Sequence, residues 1–135
     1  MRTLWIVAVV VAQFVAGPLR ADEAGEIQSV IASQIRAFEA DDIATAYSFA
    51  SPGIQSMFPS PERFAAMVRQ GYPMIWRPDD VIYYGLRHDG GQVIQRMGFR
   101  DAAGREHLFD YEMTLGPSGW RIDGVIPVRG GGEAV

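Results

Sequence analysis

The first half of the chain carries apolar residues at the spacing of amphipathic helices. One stripe contains Ile27, Val30, Ile31, Gln34, Ile35 and Phe38. A shorter stripe contains Ile43, Ala46, Tyr47 and Ala50, and it is stopped by Pro52-Gly53. A third stripe begins after Ser60-Pro61, a good N-cap and first-turn pair, and ends at Pro73. The pattern therefore predicts three helices.

After Pro78 the apolar residues recur at every second position, which is the period of a β-strand. Turn signals at Gly90-Gly91, at "DAAGR" (101–105) and at "GPSG" (116–119) divide this half into four strands. Such short connections permit only antiparallel neighbours. The sequence thus predicts an α+β fold, in which three N-terminal helices pack on a curved four-stranded antiparallel meander.

The turns also predict the register of the sheet. They place His88 opposite Val93, Leu86 opposite Gln95, Met97 opposite Phe109, Leu115 opposite Trp120 and Met113 opposite Ile122. The predicted inner face then carries Ile82, Tyr84, Leu86, His88, Val93, Gln95, Met97, Phe99, His107, Phe109, Tyr111, Met113, Leu115, Trp120, Ile122, Ile126 and Val128. The opposite face carries the charged residues of the strands, including Arg96, Asp110, Glu112 and Asp123. This clean separation supports the register.

The N-terminal segment has the layout of a secretory signal peptide. Arg2 precedes an apolar run over 4–16, Gly17-Pro18 breaks it, and Ala21 is a small residue at the expected cleavage site. The run is shorter than the roughly 20 residues that a membrane span needs. We therefore predict a signal peptide at 1–21, a domain at 25–128 and a flexible tail at 129–135. The mature protein is expected to be periplasmic or secreted, without a stable membrane anchor.

The composition of the chain argues against several kinds of binding and catalysis. The formal net charge of −4 and the lack of a basic cluster argue against nucleic-acid binding. The chain has no Cys, so disulfides, thiol catalysis and Cys-ligated zinc are excluded. No phosphate-binding Gly motif and no serine nucleophile motif occur, and the sequence predicts neither a cofactor nor a metal.

The order of elements, with "QIRAFEADDIATAYSFASP", "SPERFAAMVRQGYP" and the closing "GWRIDGV", resembles the nuclear transport factor 2-like (SnoaL-like) superfamily. Within it, the chain resembles a family of uncharacterised exported bacterial proteins. The resemblance covers most of 26–128 and implies a cone-shaped fold whose curved sheet wraps a pocket. One departure is "GIQSMFPS", which leaves little room for the short strand pair of many members. Members include isomerases, dehydratases, transport adaptors and inert binding modules, so the resemblance implies a cavity without a particular chemistry.

The acids are interpreted as structural. Asp41-Asp42 lies between the first two helical stripes, where a carboxylate caps the second helix. The strand acids fall on the outer face, where Arg96 lies opposite Asp110. No carboxylate is expected to point into the pocket.

The two histidines are candidates for acid–base chemistry. His88 and His107 fall on the predicted inner face near opposite ends of the sheet, too far apart to share a metal. Each is interpreted as a rim residue with a hydrogen-bond partner, and the alternative is a pocket acid or base.

The predicted ligand site consists of uncharged side chains. It contains Gln95, Tyr84 and Tyr111 from the sheet and Tyr47, Tyr72 and Trp76 from the helical side. Gln95 is expected opposite Tyr111, with Gly124 beside Tyr111 on the last strand, which suggests a small cavity with polar groups. The alternative is a Gln–Tyr hydrogen bond inside a filled core.

Three functions follow from these residues. The first is a non-catalytic exported domain that binds a small, largely apolar ligand or a partner protein. The second is a lyase or isomerase that uses His88 or His107 as base and Tyr84 or Tyr111 as electrophile. The third is a self-associating module that forms a homodimer through apolar residues on the outer sheet face, namely Tyr83, Leu108 and Ile94.

Overall fold

The structure, a computed structural model, describes residues 20–129. The predicted signal peptide lies outside the described residues except for its last two positions, and the predicted tail lies outside them beyond Arg129. No helix in the described part of the chain is long and apolar enough to cross a membrane.

The N-terminal half forms helices, but the described chain has five of them where the sequence predicted three. They are α1 (Arg20–Glu39), α2 (Ile43–Ser48), α3 (Pro52–Met57), α4 (Pro61–Gly71) and α5 (Pro73–Trp76). Pro52 and Pro73 were predicted to stop helices, and each instead occupies the first turn of a further short helix. Proline both breaks a helix and favours the start of the next one, because its fixed φ suits the first turn. Ser51 caps α3 by accepting from the Ile54 N–H at 3.2 Å.

The Asp41-Asp42 pair joins α1 to α2, as the sequence predicts. The Asp42 N–H donates to the Ala37 carbonyl at 2.8 Å and the Asp41 N–H donates to the Phe38 carbonyl at 3.1 Å, which is a Schellman-type helix end. The Asp42 carboxylate then accepts from the Thr45 N–H at 3.3 Å and caps α2. Asp41 has φ +55°, the left-handed conformation that usually selects Gly at this position.

Asp41→Val should lower the free energy of unfolding by about 1–2 kcal/mol, because a β-branched side chain is strained in the left-handed conformation. Asp41→Asn is the matched control, since Asn tolerates that conformation but loses the charge that pairs with Arg77 at 2.8 Å. That exposed ion pair contributes little to the free energy of unfolding. Urea denaturation of both variants measures the cost of the strained backbone and the cost of the lost ion pair. Equal losses in the two variants would show that the ion pair, not the backbone conformation, decides stability here.

The second half forms a single antiparallel meander in the order β1-β2-β3-β4, as predicted. The strands are β1 (Asp80–Asp89), β2 (Gln92–Arg100), β3 (Glu106–Gly116) and β4 (Gly119–Pro127). All five of the residue pairs predicted from the turns are confirmed, including His88 with Val93 and Met113 with Ile122. The described chain is therefore α+β.

Two irregularities shift the register away from the turns, and they make part of the predicted inner face wrong. In β1 the shift lies between Tyr83 and Leu86, so that Tyr83 pairs with Met97 and packs against the core, while Tyr84 is exposed. The inner-face placements of Ile82 and Tyr84 are therefore wrong. An extra residue in one strand reverses the alternation of side chains beyond it, which explains the error.

The second shift lies at Glu112/Met113, where β3 meets β4. Beyond it, Val125 rather than Gly124 lies opposite Tyr111, and Gly124 lies opposite Glu112. Ile126 pairs with Asp110 and is exposed, so its predicted inner placement is wrong as well.

The helices cover one face of the sheet and enclose an aromatic core. Phe38 contacts the rings of Phe64 and Trp76, and the Phe99 ring contacts those of Phe109 and Tyr111. The link between α2 and α3 runs parallel to β4, where the Ser51 N–H donates to the Ile122 carbonyl at 2.8 Å. This link was not predicted, and it covers part of the free edge of β4.

Candidate ligand cavity

A cavity of about 350 Å³ lies between the helices and the β3–β4 end of the sheet. Helices α1, α3, α4 and α5 and the link before α3 all contribute to it. Most of its lining is apolar, with Phe38, Ile54, Phe64 and Ile122 among the residues of the wall. A cavity of this size and character is typical of a site for a small molecule.

One side of the cavity reaches solvent between α3 and β4. Met57 is 69% exposed and Ile126 is 51% exposed, and both line the cavity. Large apolar side chains are usually buried, so two exposed ones at the same opening form an apolar rim. A molecule that enters here meets apolar surface first.

Tyr111 supplies a hydroxyl group to the inner wall. The residue is 1% exposed and lines the cavity, and no hydrogen bond within the described chain involves its hydroxyl. Because Tyr111 lines the cavity, we interpret its hydroxyl as facing that space. Burial raises the pKa of Tyr111 far above its ordinary value, and the nearby Tyr83 and Tyr72 add to the shift. The group therefore stays protonated and can donate.

Gln34 supplies an acceptor. Its Nε2 donates to the Ala46 carbonyl at 3.1 Å, which ties α1 to α2. The residue is 4% exposed and lines the cavity, while its Oε1 receives no donor from the described chain. Because Gln34 lines the cavity, we interpret its Oε1 as facing that space. The sequence offered a signal for this residue, because Gln34 is a polar residue within the apolar stripe of α1.

Two acidic residues, Glu112 and Asp123, are also among the residues that line the cavity. Asp123 accepts from the Ser51 hydroxyl at 2.7 Å and from Gln92 Nε2 at 2.8 Å. The Glu112 carboxyl lies against Gly124, where any side chain would overlap it. The shifted register of β4 places Gly124 rather than Asp123 opposite Glu112, which a regular strand pairing could not predict.

The structure brings together only two of the six predicted ligand residues, Tyr72 and Tyr111. Tyr84 lies on the outer face, where its hydroxyl donates to Glu106, and this hydrogen bond raises the pKa of Tyr84. Gln95 is fully buried but does not line the cavity. Its Nε2 donates to the carbonyls of Tyr84 at 2.6 Å and Arg96 at 2.9 Å rather than to Tyr111.

Tyr47 and Trp76 do not line the cavity, and they pack behind the residues of its wall. The Tyr47 hydroxyl donates to the Phe58 carbonyl at 2.7 Å and so positions the end of α3. Trp76 is buried, and the Arg77 guanidinium lies over its ring at 4.8 Å from the centroid.

Both histidines lie away from the cavity lining, and each has a carboxylate partner. His88 Nε2 lies 3.2 Å from Glu23, and His107 Nε2 lies 2.8 Å from Asp101. The hydrogen bond to His107, with the backbone N–H groups of Arg105 and Ala103, lowers the pKa of Asp101. Within residues 20–129, no group of three His, Asp or Glu side chains is arranged to hold a metal.

The outer sheet face differs from the prediction in its apolar residues. Tyr83 packs against the core and Ile94 is buried, so neither is an exposed spot for self-association, and Leu108 is half-buried. The predicted pair of Arg96 and Asp110 is present, and Arg87 joins it at 2.9 Å. Burial opposes ionisation of Asp110, but the hydrogen bonds from the two arginines outweigh it and lower the pKa of this carboxyl.

These features define an α+β domain whose helices enclose a largely apolar cavity on one face of an antiparallel meander. The chain belongs to the family described as "Domain of unknown function (DUF4864)", which matches residues 20–135. Comparisons with curated proteins and with solved structures found no match.

Proposed function

We propose that the protein is an exported, non-catalytic domain of the nuclear transport factor 2-like type that binds a small, largely apolar molecule. The observation that carries the proposal is the cavity of about 350 Å³, with apolar walls, an apolar rim and the polar residues Tyr111 and Gln34 in its lining. Export is proposed from the signal-peptide pattern of residues 1–21. The helices that cover one face of the meander support the cone-shaped fold.

Binding is favoured over the lyase or isomerase alternative because the candidate bases lie elsewhere. His88 and His107 are paired with carboxylates and do not line the cavity, and Tyr84 lies on the opposite face of the sheet. A general base must come within hydrogen-bond reach of its substrate. Of the four residues in the catalytic alternative, only Tyr111 lines the cavity.

Toluene tests the cavity directly, because it is apolar and has no hydrogen-bonding group. At ten times its dissociation constant it should stabilise the protein by about 1.4 kcal/mol, which raises Tm by about 4–8 °C. Ile54→Trp, at the cavity wall, should abolish this shift by filling the space. The measurement is a thermal melt at increasing toluene concentration.

Ile43→Trp is the matched control, since Ile43 packs against the core without lining the cavity. This variant should keep the toluene shift. Two results would contradict the proposal: wild-type protein that shows no toluene-dependent shift, or a shift that survives unchanged in Ile54→Trp.

A further inference from the structure

We infer that the cavity selects an uncharged amphiphile, namely an apolar body that carries one hydroxyl group, over an anionic amphiphile such as a carboxylate. This inference rests on the proposed binding function and specifies the chemistry of its ligand. It follows from three properties of the cavity: its unpaired polar groups, the sign of the charges in its lining, and its size.

The polar groups match a hydroxyl. The Tyr111 hydroxyl offers a donor, and Gln34 Oε1 offers an acceptor, and both residues line the same cavity. A ligand hydroxyl both donates and accepts, so it can pair with either group. An ionised carboxylate only accepts, so it gains nothing from Gln34 Oε1 and is repelled by its partial charge. A neutral hydroxyl can therefore pair with whichever of the two groups it meets, whereas a carboxylate can pair with only one of them.

The charges in the lining act in the same direction. Among the described residues that line the cavity, Glu112 and Asp123 are acidic and none is Lys or Arg. An anion that leaves water needs a cation or several hydrogen-bond donors to replace its hydration. Here it finds one unpaired tyrosine hydroxyl and two acidic residues. A neutral hydroxyl loses much less hydration and has no charge to be repelled.

The size of the cavity limits the apolar body. A volume of about 350 Å³ lies near the lower end of the range for small-molecule pockets, roughly 300–1,000 Å³. Each buried methylene group should strengthen binding by about fourfold. An alkyl chain of about eight carbons is therefore a suitable probe, because it combines a measurable apolar contribution with a head group that can be changed.

The test compares 1-octanol, octanoate and toluene by calorimetric titration of the purified chain at pH 7. We expect 1-octanol to bind at least about tenfold more tightly than octanoate. Tyr111→Phe should weaken 1-octanol about 3- to 10-fold, the effect of one lost hydrogen bond, and change toluene affinity less than twofold. Glu112→Gln should reduce the preference for 1-octanol over octanoate, because it removes one repulsive charge.

Tyr83→Phe is the matched control, because Tyr83 lies close to Tyr111 but does not line the cavity. Tyr83→Phe should change neither the affinity for 1-octanol nor the affinity for toluene. Toluene binding also reports whether each variant keeps an intact cavity. Octanoate that binds as tightly as 1-octanol would overturn the inference while toluene binding still supports the proposed function. If all three probes fail to bind the wild type, both the proposed function and the inference are wrong.

Discussion

Phe38→Ala should lower the free energy of unfolding by about 3–5 kcal/mol, the range for a large aromatic residue removed from a core. Phe38 is 1% exposed, and its ring lies 5.2 Å from the Trp76 ring and 6.0 Å from the Phe64 ring, measured between centroids. It also lines the cavity. The space left by the ring would merge with an existing void, so the neighbouring side chains cannot close around it. Urea denaturation followed by circular dichroism measures the loss.

Phe38→Leu is the matched control, because it keeps an apolar side chain that fills most of the same space. It should cost less than about 1.5 kcal/mol. A loss below about 2 kcal/mol for Phe38→Ala would show that the helices collapse into the space, and the cavity would then not be a stable feature of the fold. An unchanged denaturant slope in both variants is needed to attribute the losses to packing.

The elements of the fold follow from local sequence signals, so they could be predicted. The three longer apolar stripes and the three turns lie where the sequence placed them, and the residue pairs nearest each turn are correct. A turn sets the register of the strands that it connects, and this control weakens with distance. Leu86 therefore pairs with Gln95 as predicted, whereas Tyr83 and Tyr84 are on the faces opposite to those predicted.

The cavity could be predicted only in part, because it is built from tertiary contacts. Tyr111 was identified from its position on the apolar face of the sheet, and Tyr72 was identified as a polar aromatic residue of the helical half. The contribution of α3, including Ile54 and Met57, was missed because Pro52 was interpreted as a stop. The irregular pairing of β4 was missed because it has no local signal except Gly124, a glycine in the middle of a strand.

The register shift in β1, between Tyr83 and Leu86, explains the role of a fully buried polar residue, Gln95. Tyr84 lies within the shifted part of β1, and its carbonyl accepts from Gln95 Nε2 at 2.6 Å. The same nitrogen donates to the Arg96 carbonyl at 2.9 Å, and Gln95 Oε1 accepts from Gln28 at 3.4 Å. The Gln95 side chain therefore supplies the hydrogen bonds that the interrupted strand pairing cannot supply.

Gln95→Met should accordingly lower the free energy of unfolding by about 2–3 kcal/mol, although Met fills a similar volume and is more apolar. The variant leaves two backbone carbonyls without their side-chain donor, and an unsatisfied polar group costs about 1–3 kcal/mol. Urea denaturation measures the loss, and amide hydrogen exchange should show faster opening over residues 81–86 than elsewhere in the sheet.

Gln70→Met is the matched control, because Gln70 is exposed on α4 and the substitution should change stability by less than about 0.5 kcal/mol. If Gln95→Met were as stable as the wild type, water would have to reach both carbonyls and the side chain would not support the irregular strand. Affinity for toluene should be unchanged in Gln95→Met, since Gln95 does not line the cavity. A selective loss of ligand affinity would instead favour the role in ligand binding that the sequence predicted for Gln95. It would then follow that the cavity extends towards β1.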